Sequence, residues 1–237
     1  MTTETLYHPC AAGPGAPAVL PALLWRAGPG WRMISSAVLG GGMGERHWFL
    51  NAQVPHGYTR HDPHRHLAGI AAPALTGPSL HPAPQPPPGV GLMTAADVLA
   101  TATHTAEDGA EALVTAGVGV SGWAAVPAQR AAPHPGPGTI NILVALPVPL
   151  TDAALVNAVT TATEAKVQAL RDNGYDASGT PTDAVCVAAR TPGNATPTEH
   201  FGGPRSLWGA RLARAVHRAT HEAVARDAHL RSPAPAP

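Results

Sequence analysis

Residues Gly138 to Asp183 read GTINILVALPVPLTDAALVNAVTTATEAKVQALRDNGYDASGTPTD, and here each local signal agrees with the next. An apolar run begins the stretch, and Thr151 then supplies a helix N-cap. The Asn-Gly pair at 173–174 supplies the stop. The stretch therefore predicts a strand, a helix over about 152–173, a polar turn and the start of another strand.

The predicted helix carries a charge within its apolar face. At about 100° per residue, one arc contains Leu155, Val156, Val159, Thr163, Val167 and Leu170, with Asn157, Thr161, Glu164 and Gln168 roughly opposite. We expect the apolar arc to face a core. Lys166, the only lysine in the chain, falls inside it. Burying an ammonium is costly unless it is paired or lines a polar cavity, so Lys166 either extends its amine to the surface or belongs to a site.

The composition argues against several classes of function. The chain has 237 residues and a formal net charge of zero, so it offers nucleic acid no electrostatic footprint. No apolar run approaches the roughly 20 residues that span a bilayer, and we expect no membrane partner. Cys10 and Cys186 lie far apart and no basic-then-apolar leader begins the chain, which predicts a cytoplasmic protein with free thiols. The oligomeric state stays open, with a homo-oligomer among the alternatives.

Gly/Pro-bounded strands followed by long helices predict the α+β class, a single-domain layered α/β sandwich of mixed sheets and helices. We expect one domain over residues 13–230, a frayed N-terminal tail at 1–12 and a disordered tail at 231–237. Residues 81–89, HPAPQPPPG, lack the donors of a central strand and predict a Pro-rich surface loop.

The rest of the chain predicts a coarse order of elements. Strands are expected at 18–25, 31–39, 45–54 and 183–190, a glycine turn at 40–44, a helix from near 94 to 108, and a long closing helix over 200–229. Gly117, Gly119 and Gly122 have the spacing of a dinucleotide fingerprint. A Pro/Gly-rich loop follows them instead of a helix, so we reject that reading.

Histidines are concentrated in residues 54–67, VPHGYTRHDPHRHL. His56, His61, His64 and His66 lie beside Asp62, which makes a first-row metal a candidate ligand. Their spacing matches no zinc signature, and the surrounding Gly, Pro and polar residues favour a solvated loop. We predict no metal site and no required cofactor.

Pieces of sequence in a fixed order carry a family resemblance. They are ISSAVLGGG, FLNAQV, VGLMTAADV, VTAGV, GTINILVALPVPLTDAALVNAVTTATEAKVQAL, GTPTDAVCVAA and HFGGPRSLWG, spread over roughly residues 34–209. Together they resemble the adenosylcobinamide amidohydrolase family, the CbiZ-type enzymes of cobinamide salvage. The family's T-G-T-G-T-D run reads S-G-T-P-T-D here, and Pro181 stiffens that turn.

The resemblance implies hydrolysis of the amide between the corrin ring and the aminopropanol arm of adenosylcobinamide. The products are adenosylcobyric acid and aminopropanol, and the cobalt-containing corrinoid is a small-molecule substrate. Two alternatives stay open: a non-catalytic corrinoid-binding protein, and a hydrolase of the same fold that acts on another amide.

Amide hydrolysis needs a nucleophile, stabilisation of the oxyanion and an acid for the departing amine. Candidate hydroxyl nucleophiles, assisted by Lys166 or a carboxylate, are Ser35, Ser36, Thr94, Thr180 and Thr182. Alternatively, Asp183 or Glu164 activates water. A metal is the third solution, for which the chain offers the histidine-rich loop and scattered His104, His200 and His217.

We expect the site at the ends of the strands that carry Ser35 and Asp183, beside the helix that carries Lys166. The predicted catalytic residues are Lys166, Asp183, Ser35, Ser36 and Glu164, and the predicted substrate-binding residues are Gly40, Gly41, Gly42, Asn51, Thr94, Asn141, Thr180 and Thr182. The glycines would supply N–H groups or let a bulky ring approach. The two asparagines would orient an amide.

Overall fold

Two mixed β-sheets lie face to face, with helices on their outer faces. The computed structural model describes residues 1–10, 19–76, 87–127, 138–193 and 196–232. The elements are β1 (Glu4–Pro9), β2 (Val19–Arg26), β3 (Trp31–Ser35), β4 (Gly42–Glu45), β5 (Trp48–Gln53), α1 (Pro63–Leu75), β6 (Gly89–Thr94), α2 (Val98–Thr101), β7 (Thr103–Glu107), β8 (Ala110–Gly117), β9 (Thr139–Pro149), α3 (Asp152–Asp172), β10 (Ala184–Arg190) and α4 (Leu207–Arg231).

Both sheets combine antiparallel pairs with one parallel pair. The smaller sheet has the strand order β1-β2-β5-β6, with β5 parallel to β6. The larger sheet has the order β4-β3-β10-β9-β8-β7, with β9 parallel to β10. Because α3 joins β9 to β10, the predicted strand-helix-strand unit is confirmed, and both parallel strands begin at the same edge of the sheet.

Apolar side chains fill three interfaces between the layers. Leu92 and Phe49 of the smaller sheet share a cluster with Leu143 and Met33 of the larger sheet. A second cluster joins alternate β9 residues, such as Ile142 and Val144, to α3 and α4, and a third joins the smaller sheet to α1. Burial on both faces explains the continuous apolar sequence of β9. The order helix, sheet, sheet, helix pair confirms the α+β layered sandwich.

Helix α3 begins and ends almost as predicted, but some of the residues predicted to lie on its buried face are exposed. Thr151 caps it by accepting a hydrogen bond from the Ala154 N–H at 3.2 Å. Val156 is 53% exposed and Thr163 is exposed. The buried face consists largely of alanines at 154, 158, 162, 165 and 169. Because these side chains are small, the backbone at Gly202 packs directly against α3, where an added Cβ would collide with the Ala154 carbonyl.

Several local predictions were wrong. The N-terminal tail contains β1, which pairs with β2 along its whole length. The glycine turn continues into β4, which pairs with β3. The helix expected from Thr94 is limited to one turn, α2. The following residues, Thr103–Glu107, alternate between buried and exposed positions and form an edge strand, β7, whose buried threonines face α4.

The histidine-rich loop was also predicted incorrectly over its second half. Helix α1 begins at Pro63, a residue suited to the first helical position, so His64 and His66 are helical. The predicted loop at 81–89 falls mainly outside the described residues, as do most of residues 231–237. None of the helices within the described ranges is both long and apolar enough to cross a membrane.

Candidate active site

Polar residues gather at the edge of the larger sheet where β9 and β10 begin. Asn141 of β9 pairs with Ala184, the first residue of β10, so the turn before β10 lies beside the start of β9. The last residue of that turn is Asp183. Helix α3 runs back along the sheet and brings Lys166 to the same turn. This edge is where the sequence predicted the site.

The Asp183 carboxylate accepts hydrogen bonds on both of its oxygens. Oδ2 accepts from Lys166 Nζ at 2.5 Å and from the Thr180 N–H at 3.1 Å. Oδ1 accepts from the Ile140 N–H at 2.8 Å and from Thr180 Oγ1 at 2.5 Å. Four donors therefore fix the orientation of this carboxylate.

Lys166 and Asp183 form a largely buried ion pair. Their side chains are only 8% and 11% exposed. The alternative in which the lysine extends its amine to the surface is therefore wrong. The two charges come together over Gly179, where an added Cβ would collide with the Asp183 carboxylate and the Lys166 amine. A glycine at this position leaves room for the pair.

Two cavities meet at Asp183, which lines both of them together with Pro181. The first cavity has a volume of about 430 Å³, and its polar lining includes Ser36, Tyr58, Thr94, Thr139, Asn141 and Thr182. The second has a volume of about 450 Å³, and its lining includes Ser121, Trp123, Val126, Lys166, Ser178 and Thr180. A molecule bound across Asp183 would have one part in each cavity.

The inner wall of the first cavity carries a chain of buried amides. Asn51 Nδ2 donates to Thr115 Oγ1 at 2.8 Å. Asn141 Nδ2 donates to Asn51 Oδ1 at 2.8 Å and to the Met93 carbonyl at 3.0 Å. Asn141 Oδ1 is buried and has no hydrogen-bond partner among the described residues. Asn141 lines the first cavity, so one of its wall residues holds a covered acceptor without a donor in the described part of the chain.

Tyr58 forms another part of the first cavity's wall. Its ring stacks on that of His66, with centroids 5.6 Å apart, and its hydroxyl lies 3.1 Å from His66 Nδ1. Burial raises the pKa of the Tyr58 phenol above its usual value, Arg60 opposes the rise and Asp62 adds to it. The phenol is therefore neutral near pH 7 and available as a hydrogen-bond donor.

The second cavity has an exposed aromatic rim. Trp123 and Val126 are each 43% exposed. The segment before Trp123 is joined to the Asp183 turn by two backbone hydrogen bonds, from the Gly122 N–H to the Gly179 carbonyl and from the Ser178 N–H to the Gly122 carbonyl, each 3.0 Å long. Trp123 therefore lines the same cavity as the ion pair.

Among the candidate hydroxyls, the one that donates to a carboxylate is that of Thr180. The Ser35 hydroxyl donates to the Val185 carbonyl, and Ser35 lines neither cavity. The hydroxyls of Ser36 and Thr94 accept from backbone N–H groups, at Val185 and Ala96 respectively. The Thr182 hydroxyl donates to the Gly138 carbonyl and lies 2.5 Å from that of Thr139.

A family model described as adenosylcobinamide amidohydrolase matches residues 16–232. The chain belongs to this family. A curated relative, the adenosylcobinamide amidohydrolase of Methanosarcina mazei, is 39% identical over 85 residues, which are 33% of this chain and 42% of the relative's length. This chain is also similar to a solved structure, that of the PH0078 protein from Pyrococcus horikoshii OT3. The match covers 95% of this chain and 83% of the PH0078 chain, with a TM-score of 0.45 and 13% sequence identity.

Some predicted site residues lie apart from the Lys166–Asp183 pair in this adenosylcobinamide amidohydrolase family member. Glu164 is exposed on another face of α3, where it lines a separate cavity with Pro204 and His217. The glycines at 40–42 line neither cavity that meets Asp183. Gly40, with φ of 68°, instead allows close contact with the Gly89 backbone. Asn51 lies behind Asn141 as its hydrogen-bond partner.

Sequence reasoning missed several residues that line or shape these cavities, among them Tyr58, Trp123, Thr139 and Gly179. Tyr58, Trp123 and Thr139 come to the site through contacts between segments distant in sequence. A signal existed for Gly179, because it lies inside the family's glycine-rich run. Within the described parts of the chain, no group of three or more His, Cys, Asp or Glu residues is arranged to hold a metal ion.

Proposed function

We propose that this protein hydrolyses the amide between the corrin ring and the aminopropanol arm of adenosylcobinamide, and releases adenosylcobyric acid and aminopropanol. Its family membership supports this substrate class. The observation that carries the chemistry is the Asp183 carboxylate, placed between the Lys166 amine and the Thr180 hydroxyl where two cavities meet. A carboxylate base that contacts both a hydroxyl and a cation brings together the groups that amide hydrolysis requires.

In the proposed reaction, Thr180 is the nucleophile and Asp183 is the general base. The Thr180 Oγ1–H already donates to Asp183 Oδ1 at 2.5 Å, so the proton has an acceptor as Oγ1 attacks the amide carbon. The carboxylate cannot rotate away, because the Ile140 N–H holds the same oxygen and Lys166 holds the other. The attack gives a tetrahedral intermediate with a negatively charged oxygen.

Lys166 stabilises negative charge at two points of this reaction. One of its three N–H donors binds Asp183 Oδ2, and the other two, which have no acceptor among the described residues, can bind an oxyanion in the second cavity, which Lys166 lines. Because the ammonium is largely buried, it acts in a medium of low dielectric, where its interaction with the oxyanion is stronger than in water.

Asp183 then returns the proton to the departing nitrogen. The C–N bond breaks, aminopropanol leaves as the neutral amine, and the acyl group remains as an ester on Thr180. Water, deprotonated by the same carboxylate, attacks the ester and restores the Thr180 hydroxyl as the corrinoid acid departs. Every proton passes through Asp183, which lines both cavities. The proposal includes no resident metal, so dialysis against a chelator should leave the rate unchanged.

A matched pair of Thr180 variants tests the proposal. The purified wild-type protein, T180S and T180V are incubated with adenosylcobinamide, and adenosylcobyric acid and aminopropanol are measured by chromatography and mass spectrometry. Wild type and T180S should release both products, whereas T180V should be slower by about 10²-fold or more. A spectral shift without product from the wild type would indicate a corrinoid-binding protein instead. If T180V is active, the nucleophile is a water molecule and not the Thr180 hydroxyl.

A further inference from the structure

We infer that the first cavity is the subsite for the departing amino alcohol, and that Asn141 Oδ1 accepts a hydrogen bond from its hydroxyl. This inference rests on the proposed function and adds which half of the substrate lies where. It also identifies a residue that sets the specificity for the amine. The hydroxyl-bearing arm would be preferred over an arm of the same length without a hydroxyl.

The orientation of the Asn141 amide is fixed by its neighbours. Its nitrogen faces the Met93 carbonyl, which can only accept a hydrogen bond, and Asn51 Oδ1. The Asn51 amide is fixed in turn, because its oxygen must face the Asn141 nitrogen, which leaves its own nitrogen to donate to the Thr115 hydroxyl. A rotated Asn141 amide would place its oxygen against the Met93 carbonyl oxygen. The group left without a partner is therefore an acceptor, and its complement is an N–H or O–H donor.

An unpaired acceptor in this position favours a bound donor. Asn141 is 2% exposed, and leaving a buried polar atom unpaired is energetically unfavourable. The residue lies in the wall of the first cavity, next to Ile140, whose N–H binds Asp183. A ligand hydroxyl that enters the cavity beyond Asp183 and reaches this covered oxygen, through a small shift of the Asn141 side chain, would supply the missing donor.

The sizes and linings of the cavities decide which half of the substrate enters the first one. A corrin ring with its amide arms is too large for either cavity of about 430–450 Å³, whereas aminopropanol is small enough for both. The second cavity has the exposed Trp123 and Val126 on its rim, which suits the face of a large ring. The second cavity also contains Lys166 and Thr180, which act on the acyl carbon in the proposed reaction. The amine side of the bond then points into the first cavity.

Two substrates and two variants test this inference. The substrates are adenosylcobinamide and its analogue with an n-propylamine arm, which lacks the hydroxyl. The variants are N141L, which removes the acceptor, and T220V as the matched control. Thr220 Oγ1 is also buried without a partner among the described residues, but it lies on α4 in the helical layer. The measured quantity is the ratio of kcat/KM for the two substrates.

The wild type and T220V should prefer the hydroxyl-bearing substrate by at least about tenfold, because a site built to bind a hydroxyl discriminates against an analogue that lacks it. In N141L the ratio should fall close to one, mainly through slower cleavage of adenosylcobinamide. Equal wild-type values for the two substrates would overturn the inference while leaving the proposed function intact, as would an N141L ratio like that of the wild type. If the wild type cleaves neither substrate, the proposed function itself fails. Should N141L not fold, the wild-type ratio decides.

Discussion

Replacing Lys166 by methionine removes the cation from a buried ion pair while keeping a side chain of similar length. The two side chains are 8% and 11% exposed, and removing one partner from such a pair destabilises a protein by about 3–5 kcal/mol. Asp183 keeps three other hydrogen bonds, from the N–H groups of Ile140 and Thr180 and from the Thr180 hydroxyl. We therefore expect the lower end of that range, about 3 kcal/mol. A chain of this size would then unfold at a temperature about 6–12 °C lower.

A double-mutant cycle separates the ion pair from general damage to packing. Urea unfolding is followed by circular dichroism for the wild type, K166M, D183N and the double variant. D183N leaves the ammonium without a charged partner, so both single variants should lose stability, and the double variant should lose less than their sum by about 1–3 kcal/mol. Additive losses within about 0.5 kcal/mol would refute the reasoning. So would a loss of less than about 1 kcal/mol in K166M.

Three further predictions concern other parts of the molecule. Burial raises the pKa of the Cys186 thiol to about 12. A thiol reagent near pH 8 should therefore modify Cys10 in the folded protein and Cys186 only after unfolding. A C10S variant should show no fast reaction with the reagent. Burial, followed by the charges of Arg60 and His8, lowers the pKa of His66, so the unfolded chain binds a proton more readily. The free energy of unfolding should therefore fall as the pH drops below about 6.5, and it should fall less steeply in H66Q. Equal slopes against pH for the wild type and H66Q would contradict this prediction. G40A should be less stable than G42A. Both positions have positive φ, but only a Cβ at position 40 would collide with the Gly89 carbonyl. Equal free energies of unfolding for the two variants would contradict this prediction.

The sequence predicted best where local signals determine structure. The cap at Thr151 and the stop after α3 define a helix by themselves, and the apolar run before it forms β9. The buried face of α3 was less predictable, because its alanines matter through their small size against a backbone distant in sequence. The strand β1 depends on pairing with β2, which local sequence does not encode, whereas Pro63 was a local signal for the start of α1 that the histidine-rich loop obscured.

The candidate site was predictable in its centre and not at its edges. Lys166 was identified because a charge on an apolar helix face needs a partner, and Asp183 because of its place in the family's turn. Their contact needed the parallel pairing of β9 and β10. Glu164 falls opposite the apolar arc that contains Lys166, so the helical spacing already argued against placing both residues in one site. Trp123 comes from a loop whose position is set by backbone bonds to the Asp183 turn.

The most direct test of the role of Asp183 as general base compares the wild type with D183N. Turnover of adenosylcobinamide and binding of the corrinoid are measured on the same samples. The wild type should release aminopropanol and adenosylcobyric acid in equal amounts. D183N should still bind the corrinoid but should turn it over more slowly by about 10²–10⁴-fold, because it has lost the base that accepts and returns the proton. A wild type that binds without releasing aminopropanol, or a D183N variant with the wild-type rate, would contradict this role for Asp183.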